Sequence, residues 1–195
     1  MKEGECMPSL FAESELLDLI DKVKKGERLN HDAGVRLMKS QDILALGTMA
    51  NIIRERINGH QTFFMLNQPS DYTNVHDATM LYGDLESKEK QINHLLELRA
   101  QQDQTGEFLS FVPTGVGATT GIEDLKVLAI SRILLDNFDH IKASWNTLGL
   151  KLTQVSLAFG VDDLAGSAVT KKALTQMIQK AGRDAVDRAG LGGVQ

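Results

Sequence analysis

Residues 108–145, FLSFVPTGVGATTGIEDLKVLAISRILLDNFDHIKASW, contain a complete strand–helix–strand pattern. Phe108–Val112 is a short apolar and aromatic run that predicts a strand. A glycine- and threonine-rich loop over Thr114–Gly121 follows, and apolar residues at helical spacing then predict a helix over Ile122–Asn137. His140–Trp145 predicts the next strand. A helix between two strands indicates a right-handed crossover between parallel strands, so this stretch predicts an α/β fold.

The same alternation extends to both sides of this unit. Upstream, Thr62–Leu66 and Ala78–Leu81 predict strands, and residues 86–105 predict a helix. Downstream, helical patterns cover residues 148–159 and 171–182, with a loop predicted over Gly160–Gly166 and a frayed tail after residue 186. We therefore expect four or five mostly parallel strands after residue 60.

The short link His76-Asp77 joins two stretches that both resemble strands. Parallel neighbours need a long crossover, which two residues cannot supply. Either the strand around Thr73 is reoriented, or Tyr72–Leu81 forms one long strand; we favour one continuous strand.

The first sixty residues predict helices instead of strands. Apolar residues recur at helical spacing in residues 12–25, 31–40 and 42–58, with Asn30 and Asp42 as candidate caps. A closed eight-stranded barrel needs roughly 250 residues, and this chain has 195. We therefore predict a single α/β domain over residues 1–195, with N-terminal helices in 1–60 and a partial TIM-type (β/α) barrel in 61–195.

Composition excludes several classes of function. The net charge of −5 and the pI near 5.5 argue against a nucleic-acid-binding surface. No apolar run approaches the roughly 18 residues of a membrane helix, and the N-terminus lacks the basic and apolar regions of a signal peptide, so we expect a cytoplasmic protein with no membrane partner. The single cysteine, Cys6, excludes a disulfide, a zinc ribbon or a multi-cysteine iron–sulfur cluster within this chain.

The remaining motifs favour structural interpretations. TGVGATTG lacks the Gly-Lys-Ser/Thr of a P-loop, so a strand-to-helix turn is favoured over nucleotide binding. No histidine pair has metal-ligand spacing, and we predict no metal ligand. The acids Asp162-Asp163 could contact ribose hydroxyls or a cation, but adjacent loop acids more often cap a helix or face solvent. Trp145 follows a strand at the end where α/β folds bind ligands, although a lone tryptophan is more often part of a core.

Several long segments carry a specific likeness. They are ATMLYG (78–83), HLLELRAQQDQTGEFLSFVP (94–113), TGIEDLKVLAISRILLDNFDHIKASWNTLG (120–149) and KLTQVSLAFGVDDLAGSAV (151–169). These segments resemble the C-terminal half of aminofutalosine synthase, a radical SAM enzyme of menaquinone biosynthesis. DILALGTMANIIRERING and YTN resemble the start of the same family, and MIQKAGRDAVDR resembles its end.

The resemblance implies a (β/α) barrel that holds a [4Fe–4S] cluster in a C-x3-C-x2-C loop. The cluster would cleave S-adenosylmethionine, and the resulting radical would join an enolpyruvyl substrate to adenosine. In the family, YTN-V leads directly into the cysteine loop, whereas Val75 here is followed by His76-Asp77 and then ATMLYG. The cluster loop and the middle of the barrel are therefore missing at this point. We expect no cofactor bound to this chain, no catalytic residue in it, and no radical reaction by it alone.

Two further interpretations stay open. The chain could be a residual binding module for a purine nucleoside or S-adenosylmethionine, with Asn74, Thr79, Tyr82, Trp145 and Asp163 as the predicted contacts. It could also be a subunit that completes a barrel by homo-oligomerisation, because an open sheet edge invites pairing.

Overall fold

The structure is a computed structural model that describes residues 11–68, 76–83 and 87–191. The helices are α1 (Leu17–Lys25), α2 (His31–Lys39), α3 (Ile43–Asn58), α4 (Lys88–Thr105), α5 (Gly121–Leu134), α6 (Trp145–Leu148), α7 (Leu150–Ser156) and α8 (Lys171–Lys180). The strands are β1 (Gln61–Leu66), β2 (Asp77–Gly83), β3 (Ser110–Val116), β4 (His140–Ser144), β5 (Asp163–Gly166) and β6 (Asp184–Asp187), and a 3-10 turn covers Arg188–Leu191.

The strands form one parallel sheet in the order β2-β3-β4-β5-β1-β6. The α/β fold with a parallel sheet is thus confirmed, although the described residues form six strands instead of the four or five predicted. The sheet is not closed, because β2 and β6 lie at opposite edges. This arrangement is a partial (β/α) barrel, as the sequence predicted.

The helices of the crossovers lie on one face of the sheet. From β2 to β5, each strand is followed along the chain by its neighbour in the sheet. Right-handed crossovers that advance in one direction place α4, α5 and α7 on the same side. The opposite side, which carries Thr79, Ser110, Lys142 and Asp163, is called the open face below.

The helix α5 lies at the centre of the helical layer. All residues from Asp124 to Leu134 are buried, so this helix has no solvent-exposed side beyond its first turn. The N-terminal helices explain this burial, because α2 and α3 pack against the side of α5 that faces away from the sheet. A helix whose residues are buried on all sides must be covered by neighbouring elements on all sides.

Side-chain caps define where the helices begin. Asn30, Asp42, Ser87 and Thr170 each accept a hydrogen bond from a backbone N–H in the first turn of the helix that follows. The cap at Thr120 is reciprocal, because Glu123 accepts from the Thr120 backbone N–H while Thr120 accepts from the Glu123 N–H. These caps confirm the predicted starts of the second and third helices.

Two sequence-based assignments near the strands were wrong. The stretch predicted as a loop over Gly160–Gly166 contains β5, a short central strand between β4 and β1. The strand predicted to end at Val112 continues to Val116. Pro113 is tolerated there because β3 pairs with β4 only at Ser110 and Phe111, so the missing N–H of Pro113 faces no second partner strand.

Two further differences concern the edges of the sheet. The continuous strand predicted over Tyr72–Leu81 is found only from Asp77 onward, because His76 lies in a turn and residues 69–75 are outside the described part. The segment after α8 forms β6 and pairs with β1, which the sequence analysis did not predict. No helix among the described residues is long and apolar enough to span a membrane.

Candidate functional site

Four charged side chains meet on the open face around a small cavity of about 60 Å³. The Lys142 ammonium lies 2.7 Å from a carboxylate oxygen of Asp77. The Arg188 guanidinium donates two hydrogen bonds to Asp163, from Nε at 3.2 Å and from Nη2 at 3.1 Å. Met65 adds an apolar wall to the same cavity.

Strand register brings these residues together from distant parts of the sequence. Lys142 in β4 is the direct neighbour of Asp163 in β5. In β3, Ser110 pairs with Asp77 on one side and with His140 on the other, so Lys142 reaches across β3 to Asp77. Parallel neighbours in register project their side chains to the same face, which explains the cluster.

Arg188 spans the width of a strand to reach its partner. It follows β6 directly, and its guanidinium lies 5.0 Å from the centre of the Phe63 ring in β1. Beyond that ring it pairs with Asp163 in β5. Phe63 therefore supports the flat guanidinium while the bidentate pair fixes its orientation.

The electrostatics of the site are dominated by burial. Desolvation raises the pKa of the Asp163 carboxyl, and the positive charges of Arg188 and Lys142 act in the opposite direction. Asp77 and Lys142 are also largely removed from solvent, while the Arg188 side chain keeps 27% of its exposure. The cluster can thus offer both a cation and an anion to a small polar ligand, with Arg188 at the accessible side.

A second carboxylate fixes the base of the site. Asp162 is fully buried and accepts hydrogen bonds from Arg132 at 2.5 Å and from Asn58 at 2.8 Å. It also lies 2.6 Å from His140 Nδ1, and the His140 ring packs edge-on against Phe63 with 4.8 Å between ring centres. These contacts hold β4 and β5 in place below the cluster.

The predicted binding residues occupy different surroundings. Asp163 lies in the charged cluster, and Thr79 is exposed on the open face at the edge strand. Tyr82 instead faces the helices, where its hydroxyl donates to Asp124 at 2.7 Å. Trp145 is buried and donates from Nε1 to the Ser167 carbonyl at 2.8 Å. Asn74 lies outside the described residues, and the binding role of all five stays a prediction.

The sequence analysis missed Asp77, Lys142 and Arg188. Lys142 did carry a signal. It stands between Ile141 and Ala143, and a strand covered on both faces would have an apolar residue at that position. Asp77 and Arg188 carried no comparable signal, because their partners, Lys142 and Asp163, are 65 and 25 residues away along the chain.

The residues of this chain do not fit the iron–sulfur cluster that the resemblance implies. Three thiolates must hold such a cluster, and the chain has one cysteine, Cys6. In residues 11–68, 76–83 and 87–191, no three His, Cys, Asp or Glu side chains are grouped so that they could hold a metal ion.

The sequence has clear relatives among known proteins. Residues 100–188 match the family described as the CofH/MqnC C-terminal region. The aminodeoxyfutalosine synthase of Thermus thermophilus is 37% identical over 162 residues, which are 68% of this chain and 42% of that enzyme. A 5-amino-6-(D-ribitylamino)uracil--L-tyrosine 4-hydroxyphenyl transferase of Methanosarcina mazei is 45% identical over 107 residues, covering 46% of this chain and 28% of that enzyme. The chain thus spans less than half the length of these relatives.

Solved structures support the same fold. The FeFe-hydrogenase maturase HydG from Carboxydothermus hydrogenoformans superimposes with a TM-score of 0.68 over 89% of this chain and 79% of that chain, at 10% identity. Methylornithine synthase (PylB) gives a TM-score of 0.59 over 89% of this chain and 98% of that chain, at 10% identity. These superpositions show the fold alone, whereas the sequence matches show that the chain is a radical SAM aminofutalosine synthase-like protein whose residues 100–188 match the CofH/MqnC C-terminal region.

Proposed function

We propose that this chain is an internally shortened relative of aminofutalosine synthase, from the menaquinone pathway, that does not carry out the radical SAM reaction by itself. The observation that carries the proposal is the presence of a single cysteine in 195 residues. The reaction requires a reduced cluster held by three thiolates of one loop, and no other side chain of the chain replaces three cysteines. We also infer a cytoplasmic location.

Anaerobic reconstitution tests this proposal. The purified chain is incubated with iron and sulfide, then with a reductant and S-adenosylmethionine, and the products are separated by chromatography. We expect no stoichiometric cluster and no 5′-deoxyadenosine. The Cys6→Ser variant is the matched control, because iron that remains bound to it is not held by a thiolate. Formation of 5′-deoxyadenosine by the original chain would overturn the proposal.

A second candidate function is ligand binding without turnover, and the open-face cluster favours it. Arg188 is partly accessible, is oriented by Asp163 and Phe63, and borders a cavity that also contains the Lys142 ammonium. Such a site suits a small molecule with both charged and apolar parts. S-adenosylmethionine and purine nucleosides have this character, so the chain retains one wall of a binding site for them.

Thermal unfolding with S-adenosylmethionine or adenosine tests this second function. A ligand present at a hundred times its Kd stabilises the folded state by about 2.7 kcal/mol, which raises the melting temperature measurably. Arg188→Gln should reduce that rise, judged against the variant's own melting temperature without ligand. Lys151→Gln, an exposed change on α7, should leave it unchanged. Binding is contradicted if neither ligand shifts the melting temperature of the original chain.

A further inference from the structure

A larger cavity of about 340 Å³ lies on the opposite side of the sheet from the charged cluster. It is bordered by α2, α4 and α5 and by the carboxyl end of β2, and we call it the outer cavity. Its walls include Met38, Tyr82, Gln91 and Val127. Its volume is at the lower end of the range found for small-molecule sites.

Two lysines of the outer cavity form no ion pair with any carboxylate of the described residues. Lys88 and Lys126 both line it, and in the part of the chain that the structure describes, neither ammonium forms an ion pair. Among the described residues of the cavity wall, the one carboxylate belongs to Glu123. Its Oε2 already accepts from the Thr120 backbone N–H and hydroxyl, both at 3.0 Å.

Lys126 is held in a fixed position, and one N–H donor of its ammonium group is not used by the described part of the chain. Its side chain is buried, and the ammonium donates to the carbonyl oxygens of Met38 at 3.0 Å and Ser40 at 2.7 Å. An ammonium has three N–H donors, so one remains for a ligand. Burial, followed by repulsion from Lys88, lowers the pKa of Lys126, while the Glu123 carboxylate acts in the opposite direction. An anion between the two lysines would relieve both costs.

Helix geometry adds to this positive field. The helices α4 and α5 both begin beside the outer cavity, at Ser87 and next to Thr119. Helix N-termini carry partial positive charge and favour anions. Both helices are long, with 18 and 14 residues, and the acids in their first turns, Glu89 in α4 and Glu123 and Asp124 in α5, offset only part of this positive charge.

We infer that the outer cavity binds the phosphate group of a small molecule through Lys88 and Lys126. A phosphate monoester carries a charge of about −1.5 to −2 at neutral pH, which matches two ammonium groups more closely than a single carboxylate does. Lysine is a common phosphate ligand that acts as a point charge. The molecule that supplies this phosphate group is either inorganic phosphate or a phosphorylated metabolite.

Isothermal titration calorimetry with inorganic phosphate and with glycerol 3-phosphate tests this assignment at low ionic strength. We expect saturable binding of at least one probe, and tighter binding of glycerol 3-phosphate identifies the phosphorylated metabolite as the source. Lys88→Met changes an exposed residue and should weaken binding roughly tenfold. Lys90→Met, also exposed in the first turn of α4 but outside the cavity wall, should bind as the original chain does.

The Lys126 ammonium provides an independent measurement. Its pKa, followed by NMR of the side chain, should rise when phosphate is added, because a bound anion stabilises the charged form. The inference is overturned if neither probe binds, or if Lys88→Met and Lys90→Met bind phosphate equally well.

Discussion

At the scale of single residues, the ion pair between Arg132 and Asp162 is the contact whose loss should matter most to stability. Both side chains are fully buried. Arg132→Met should lower the free energy of unfolding by roughly 3–5 kcal/mol, because it leaves the Asp162 carboxylate buried without its charge partner. Urea denaturation measures the change. Arg28→Met, which breaks exposed ion pairs with Asp103 and Asp136, should cost at most about 1 kcal/mol.

The double variant Arg132→Met with Asp162→Asn separates charge from packing. It should recover part of the lost stability, since no unpaired charge remains buried. A cost for Arg132→Met that is no larger than the cost for Arg28→Met would contradict the buried-pair argument.

The adjacent acids Asp162 and Asp163 show why the roles of single residues were difficult to predict. The sequence places Asp162 and Asp163 side by side, and adjacent acids in a loop usually face solvent. Both are buried here because their cationic partners, Arg132 and Arg188, come from α5 and from the end of β6. Those partners are 30 and 25 residues away along the chain, so no local pattern indicates the pairing.

At the scale of elements, hydrophobic periodicity was sufficient to predict the long helices but not the short strands. The helices α2, α3 and α4 were predicted with nearly correct ends, because apolar spacing and cap residues agree there. The four-residue strands β5 and β6 are too short to show alternation. Their strand conformation is set by pairing with β1, a tertiary effect that local propensity does not encode.

At the scale of the whole molecule, the alternation of strands and helices along the sequence was enough to predict the architecture. Parallel pairing, the open sheet and the N-terminal helical layer all follow from that order and from the chain length. The sequence did not predict that β1 lies between β5 and β6, because that position depends on pairing between strands that are distant along the chain. That position puts β2, instead of β1, at an edge.

The two edges of the sheet differ in how well they are protected, and this difference predicts self-association through β2. The strand β6 is short and has acids at both ends, with Asp187 paired to Lys171, whereas β2 has seven residues and no charge after Asp77. Leu81 of β2 is 56% exposed. A long, uncharged edge strand is a template for pairing with another chain, and natural proteins protect such edges with lysine.

Light scattering coupled to gel filtration measures the expected association. We expect a dimer, and we expect Leu81→Lys to shift it to monomer, because a charge on the edge strand opposes pairing without unfolding the sheet. Leu150→Lys, which introduces the same charge at an exposed leucine of α7, should leave the dimer intact. A chain that stays monomeric at every concentration would rule out completion of the sheet by a second copy. Because the other edge strand, β6, is short and has acids at both ends, such a dimer would extend the sheet from β2.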